Sequence, residues 1–531
     1  MDRKYILAGI VAILAVLGIA AFAMGSGSSE RAPDEIVMAA SVHGGEPEAG
    51  FDPLAEWAIG TEPLIQSTIF KKDANGTIVN DLATDYKVSG DLKEYEITLR
   101  DDVKFTDDTK LTSKDVAFTY NKAKEKGIIN LDNLNEISTP DDTHVTFVLN
   151  ETDSTFINKL TQVGIVPADS YNNETYGENP VGSGPYKLSQ WDKGQQAIFE
   201  INEDYYGKKP YYKKITNLFL EPDAAFAAAQ NGEVDVVEVP LSYSNESIEG
   251  MHQVIYPSLD VRYIGLPVNT ESPNDEGVIV GNNVTADPAI REAISVGINR
   301  QGIVEGAFNG LGNVSYTGIS KQLPFASDAT IDDGKVDEAK QILETAGWVD
   351  SDGDGIREKD GVKASFEIDY ASSDSTRQAV ALQFSEQVKE LGIEATPEGK
   401  TWDEMDSTKF NQPIVWGGGS SDPYQLHQFY DSEVAATGYS NPAAYNNSQV
   451  DALIDSAMQD ANTQSANTKW SQVQSTAIKD NPYIWVGTLD YLFFVNDNVD
   501  MSDATHTLYP HGGDVWGNIY DWTSVNATAT G

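Results

Sequence analysis

From Glu35 to Trp522 the chain alternates strand-like and helix-like segments, with no low-complexity linker and no detectable internal repeat, and this continuity constrains the fold more than any motif does. "EYEITLRDDVKF" and "THVTFVLNETDSTF" alternate apolar and polar residues, the period of half-buried strands. "LTSKDVAFTYNKAKEKG" opens on the capping box Thr112-x-x-Asp115 and runs as an amphipathic helix to Gly127. "DPAIREAISVGINRQGIV", "STRQAVALQFSEQVKELG" and "NSQVDALIDSAMQDA" read as helices, and "ASFEIDY" and "PIVWGG" as strands. Helices and strands mix throughout, so the class is α/β. At 531 residues one core does not suffice, and without linkers the lobes must be joined compactly by more than one chain crossing.

"DSDGDGIREKDG", residues 350–361, begins like a calcium loop, with Asp350, Asp352 and Asp354 at alternate positions followed by Gly355. Position twelve, where a bidentate glutamate closes such a loop, is Gly361. The flanks disagree as well. "KVDEAKQILETAGW" is a helix that stops at Gly347, and "VKASFEIDYA" has strand period, so the reading is helix, acidic turn, strand, with Asp and Gly serving turn chemistry.

A net charge of −46 repels phosphate backbones and anionic lipid, and no basic groove offsets it, so nucleic acid is not an expected partner. Cysteine is absent, which removes disulfides, thiol nucleophiles, Cys-ligated zinc and lipid attachment to Cys. Arg3 and Lys4 precede an uncharged apolar run from Tyr5 to Met24 and a small polar linker. That is an export signal, either an uncleaved anchor or a signal peptide cut after Ala21–Ala23; the lack of Cys for a lipid tether favours an anchor at residues 5–24. Sequons such as those at Asn75 and Asn283 permit glycosylation without arguing for it.

Catalytic signatures are missing. No HExxH or GxSxG occurs, and "GIEATPEGKT" places six residues between Gly392 and Gly399 where a phosphate loop needs four. His506 and His511 are the only close pair of histidines, five apart, which does not suit one helix face. Carboxylate pairs are inevitable among 82 acidic residues and carry no signal. No cofactor and no metal site are expected.

Five stretches in register, "DLATDYKVSGDLKEYEITLRDDVKFTDDTKLTSKDVAFTY", "NPVGSGPYKLSQWDKGQQAIFEINEDYYG", "AAFAAAQNGEVDVV", "AIREAISVGINRQGIVEGAFNGLG" and "AGWVDSDGDGIREKDG", resemble the solute-binding proteins of peptide/nickel ABC importers, the extracellular solute-binding proteins of family 5. The resemblance covers Glu35 to Trp522. One departure is Asp108, where that family usually has glycine, and a less strained turn is expected there. The resemblance implies a periplasmic-binding-protein-like body of three lobes after a leader at 1–33. Lobe I would comprise 34–70, 180–268 and 484–525, lobe II 71–179, and lobe III 269–483. Crossings near Val268 and Ile484 would be the hinges, and a solute would be enclosed between lobes I and III. The implied role is capture of a peptide or nickel chelate outside the cytoplasm and delivery to a membrane permease and its ATPase, by a monomer tethered through residues 5–24. An exported cell-surface hydrolase, or a receptor not coupled to transport, are the alternatives.

"VWGGGSSDPYQLHQF" is the expected pocket: Gly417, Gly418 and Gly419 admit a ligand to the backbone, Trp416 offers a stacking face, Ser420 and Ser421 offer hydroxyls, and Asp422 starts a helix. His43 and Trp57 in "HGGEPEAGFDPLAEW", "VGSGPY", and Tyr509 and Trp516 in "YPHGGDVW" are the other expected walls. In the dipeptide-binding branch an Asp before the Asp/Glu-Pro pair and an Arg on the strand before "STRQAV" hold the zwitterion; by that register this chain has Gly419 and Tyr370. Both charged anchors are absent from those positions. The "WGGGSSDPYQLH" stretch resembles that of nickel-chelate binders, with His427 displaced by three residues, and the ligand stays open between peptide and metal chelate.

Overall fold

The computed structural model describes residues 31–525 apart from 41–45, 62, 74–75, 275–276, 502–508 and 513–514. The apolar run at 5–24 and His43 lie outside the described residues, and among those described no helix is long and apolar enough to cross a membrane.

Three large sheets organise the chain. The first has the strand order Met251–Tyr256, Tyr491–Asn496, Val236–Val239, Glu35–Ala39, Lys214–Leu218, Gln196–Ile201, Tyr186–Asp192, with Glu35–Ala39 parallel to both of its neighbours. The second is antiparallel and local, Ala83–Val88, Glu94–Leu99, His144–Leu149, Leu134–Asp141. The third runs Gly312–Val314, Tyr483–Leu489, Val261–Gly265, Ile414–Gly418, Ser365–Ala371, Glu394–Lys400. Every residue of Val261–Gly265 and Tyr483–Leu489 is buried, because helices cover both faces of this sheet. Val415, Ile484 and Val486 pack with Ile294, Val304 and Phe384 on one side. Tyr263, Tyr483 and Trp485 pack with Phe429, Ile454 and Trp470 on the other.

Local chemistry accounts for the element ends. Ser113–Lys126 begins on the Thr112/Asp115 capping box, buries Val116, Tyr120 and Ala123 along one face, and stops at left-handed Gly127. The stretch read as one helix after Asp287 is two, Pro288–Gly297 and Arg300–Ala307. Ile298 turns extended, and the Asn299 side chain accepts from Gly302 N at 3.0 Å to start the second helix.

Val336–Thr345 ends just before Gly347, whose φ is 90°, and the acidic turn then leads through the hairpin Glu358–Lys359/Val362–Lys363 into Ser365–Ala371. Within the turn Asp350 accepts from Gly353 N at 2.7 Å and Gly355 N at 3.0 Å, and Lys363 pairs with Asp352 and Asp354. The turn at Asp108 differs from expectation. Its φ is 67°, so a non-glycine residue sits in the left-handed region and the strain is greater, not smaller.

The chain passes between the first and third sheets twice, through residues 257–260 and through Asp490 alone. These points are displaced from the crossings expected near Val268 and Ile484, because Val261–Gly265 and Tyr483–Leu489 hydrogen-bond to each other and so already belong to the third sheet.

Candidate functional site

Both crossings meet around one buried carboxylate. Asp260 and Arg262 are two apart on extended chain and face the same side. Asp260 pairs with the Arg262 guanidinium, lies 2.9 Å from His511 Nδ1, and accepts from Tyr491 OH at 2.9 Å. Burial raises its pKa, but Arg262 and His511 outweigh that and hold the carboxyl well below its usual range. Backbone bonds fix the segment bearing His511 to the crossing, Leu259 N to Tyr509 O at 2.7 Å, and to the end of the third-sheet strand Ile414–Gly418, His511 N to Gly419 O at 2.8 Å.

Next to this group stands Arg377, on the first turn of helix Ser375–Lys389, 4% exposed. Asp374 caps that helix by accepting from Thr376 N and Arg377 N at 2.9 and 3.0 Å. Its second oxygen lies 3.0 Å from Arg377 Nε and 3.9 Å from Arg262 Nη2. Arg377 Nε is not aligned for a hydrogen bond despite that distance, and Nη1 is buried without a partner. The guanidinium is held against a pair of mutually packed indoles, 5.3 Å from the Trp402 ring centre and 5.2 Å from that of Trp416. Trp416 in turn stacks on Tyr439 with centroids 5.3 Å apart, and Lys409 Nζ sits 4.2 Å over Tyr439. Trp402 and Tyr439 are 45% and 54% exposed, so the aromatic slab opens to solvent while the cation behind it does not. Burial first, then the neighbouring Arg262, pull the Arg377 pKa below its ordinary value. A buried guanidinium with an unpartnered N–H beside aromatic faces can receive a carboxylate.

Of the residues singled out from sequence, Trp416 joins this cluster. The glycines beside it serve packing. A Cβ on Gly417 would meet Arg262 Nη1 at 2.5 Å and His511 Cε1 at 2.7 Å, one on Gly418 would meet Phe429 at 2.7 Å, and one on Gly419 would meet the Leu259 carbonyl at 2.1 Å. The room expected for a ligand is thus filled by the chain itself. Trp57 is buried against Phe51, centroids 4.7 Å apart, and Tyr509 packs on Tyr256 at 5.2 Å. Tyr370 is turned toward the adjacent strand, accepting from Gln378 Nε2 at 3.2 Å and crowding Gly399. "VGSGPY" packs its glycines on the Leu64 and Ile65 backbone. Trp516 lies on the turn Val515–Asp521.

Ser420, Ser421 and Asp422 face the second sheet's lobe. Lys72 Nζ donates to Ser421 Oγ at 2.7 Å, Ser420 Oγ accepts from Asp422 N at 3.0 Å, and Gln162 Nε2 approaches Asp422 at 3.5 Å. Burial pushes the Asp422 carboxyl up to about 6. Asn130 donates to Tyr424 OH at 2.8 Å and Ser154 N to Met458 O at 2.7 Å across the same junction.

Sequence reasoning missed Asp260, Arg262, Asp374, Arg377, Trp402, Tyr439 and Tyr491, and set His511 aside. The available signal was charge at positions that should face inward: Asp260-x-Arg262 in an otherwise apolar strand, and Arg377 on the buried face of its helix.

The model of the bacterial extracellular solute-binding proteins, family 5 (middle region), matches residues 77–441. The chain is 28% identical to Protein XP55 of Streptomyces lividans over 92% of this chain and 90% of that protein. It is 26% identical to the oligopeptide-binding protein AppA of Bacillus subtilis over 98% and 99%. The structure of AppA from Bacillus subtilis in complex with a nonapeptide superposes with TM-score 0.75 at 25% identity, covering 92% of this chain and 99% of that one. NikZ of Campylobacter jejuni, in complex with Ni(L-His), superposes with TM-score 0.78 at 22% identity, covering 93% and 100%.

Proposed function

The chain belongs to the bacterial extracellular solute-binding proteins of family 5, and from that premise we propose that it captures a small solute outside the cytoplasm for a peptide/nickel-class ABC importer. Proteins of this family are binding proteins of the extracytoplasmic space, and the reading here is capture without turnover. The solute enters between the first and third sheets, which close by rotation about residues 257–260 and Asp490. Delivery goes to a membrane permease and its ATPase. The protein acts as a monomer, held at the outer face of the cytoplasmic membrane by residues 5–24.

The observation that carries this reading is Arg377, a buried cation with an unpartnered N–H behind an open aromatic slab, beside the point where the chain crosses between sheets. A solute carboxylate would pair with Arg377, and its apolar parts would lie on Trp402, Trp416 and Tyr439. A peptide, as in the AppA complex, and a nickel–histidine chelate, as in the NikZ complex, both bring such a carboxylate. Arg377 lies seven residues beyond Tyr370, so the missing anchor of the dipeptide register is replaced from another place. Tryptophan fluorescence titration with a peptide pool and with nickel–histidine tests the reading. Saturable quenching by one of them, weakened in Arg377→Met, supports it; no response to either, or an unchanged response in the variant, contradicts it.

A further inference from the structure

The lobe built on the second sheet touches the lobe built on the third, although the chain does not run directly from one to the other. The second sheet is entered from and left to the first, and the third is reached from the first through residues 257–260 and Asp490. The second lobe is also fastened to the first. Phe51 N donates to Gly177 O at 2.9 Å, Tyr171 OH to Asp52 at 2.8 Å and Lys126 Nζ to Leu54 O at 2.8 Å, and Phe51 packs on Phe199 of the first sheet, centroids 5.5 Å apart. The second lobe therefore turns with the first sheet, and its contacts with the third lobe form and break as the crossings rotate.

Neutral groups make part of this junction: Asn130 Nδ2 donates to Tyr424 OH at 2.8 Å, and Ser154 N to Met458 O at 2.7 Å. The rest is charged. Lys72, on the strand Phe70–Lys72 that leads into the second sheet, donates from Nζ to Ser421 Oγ at 2.7 Å. Asp422, the next residue on the third lobe, is 4% exposed. Its Oδ1 accepts from Tyr424 N at 3.0 Å within its own lobe, and across the junction its Oδ2 receives Gln162 Nε2 at 3.5 Å, the long limit of a hydrogen bond. Closure thus takes a carboxylate out of water and gives it a weak direct contact in exchange. Burial is the leading influence on this carboxyl and Lys72 the foremost charge opposing it; Lys159 follows, already paired at 3.0 Å with Asp153, whose own charge acts the other way. Burial likewise leads at Lys72, and the charge of Asp422 opposes it there.

We propose that Asp422 and Lys72 form a charge-compensated gate between the second and third lobes: the carboxylate resists closure, and the ammonium, arriving from the other lobe, offsets that resistance. An uncompensated charge at a closing surface costs more than a matched pair, so closure depends on Lys72 for as long as Asp422 is ionised. The Ser421 hydroxyl holds the ammonium at the residue next to the carboxylate. The gate rests on the hinge rotation of the proposed function but not on which solute is captured, and it works in the empty chain.

The test uses the empty full chain, which has no cysteine of its own. Ser154→Cys with Met458→Cys puts one thiol on each lobe at a backbone hydrogen bond, a spacing that a disulfide bridges. The rate of cross-linking at neutral pH, by oxidation and separately by a short bismaleimide that tolerates other thiol directions, reads how often the lobes meet. Lys72→Met is expected to slow cross-linking about tenfold or more, and Asp422→Asn to leave it at least as fast as in the parent. In the Asp422→Asn background Lys72→Met is expected to lose most of its effect, which a merely misfolded Lys72→Met chain would not do. An unchanged rate in Lys72→Met, the same slowing with and without Asp422, a slower Asp422→Asn chain, or no cross-link with either reagent overturns the proposal. With no solute in the assay, failure to bind peptide or nickel–histidine would contradict the proposed function and leave this result as it stands.

Discussion

The guanidinium of Arg377 stands 5.2 Å from the ring centre of Trp416, buried on a helix whose cap, Asp374, touches it without forming an aligned hydrogen bond. Asp374 and the two indoles leave Nη1 without a hydrogen-bond partner, so an incoming anion can add a charge-assisted contact there. Replacing the guanidinium by a side chain of similar bulk removes a charge-assisted contact of roughly 1.5–3 kcal/mol, so Arg377→Met is expected to weaken solute binding about ten- to a hundredfold. Isothermal titration with the native solute reads this, and equal affinity in the variant would remove Arg377 from the site.

Trp402→Ala is expected to weaken binding while leaving the fold intact, because this indole is 45% exposed and contributes stacking area more than core. A loss of about 1 kcal/mol is anticipated, with little change in the urea midpoint. A large drop in stability with unaltered affinity would reverse that assignment.

The acidic turn is satisfied by its own chain: Asp350 receives Gly353 N and Gly355 N, and Lys363 neutralises Asp352 and Asp354. Calcium should leave the melting temperature unchanged. An ion at a hundred times its dissociation constant would add about 2.7 kcal/mol, a shift too large to miss. A calcium-dependent rise abolished by Asp352→Asn with Asp354→Asn would contradict the structural reading.

Asp422 gives a pH signature. Burial raises its carboxyl from 3.8 to about 6, so the folded chain holds this proton more tightly than the unfolded chain does. Its contribution to stability is fully present below pH 3.8 and is lost as the pH rises through 6, by roughly 3 kcal/mol at neutral pH. Asp422→Asn removes this dependence. Urea unfolding should show the variant gaining on the wild type between pH 4.5 and pH 7.5; a constant difference would mean that the carboxyl is not desolvated.

Asp108 holds a φ of 67° without the excuse of a missing Cβ. Asp108→Gly should stabilise the chain by roughly 0.5–1 kcal/mol, the relief of left-handed strain exceeding the added freedom of the unfolded chain. Chemical denaturation reads the gain, and a loss would show that the aspartate side chain supports its own turn.

What was legible in the sequence was periodicity and local capping. The Thr112/Asp115 box, the stop before Gly347 and the strand Ile414–Gly418 were visible because each depends on neighbours within a few residues. The break at Ile298–Asn299 was hidden because apolar spacing continues through it and only Asn299, whose side chain caps the start of the second helix, marks it. The crossings were misjudged by a few residues because nothing local tells a strand which sheet will pair with it. The candidate site was legible only at Trp416. Arg262, Arg377 and His511 come together from distant parts of the chain, and the glycines that looked like a ligand floor are needed to let those side chains approach.

The most direct test of solute capture is native mass spectrometry of the untagged protein, purified and then exposed to a peptide pool and to nickel–histidine. One peptide or one chelate per chain is expected, released unaltered on denaturation and largely lost in Arg377→Met. A chain that stays at its bare mass with both, or a peptide released in cleaved form, would contradict it.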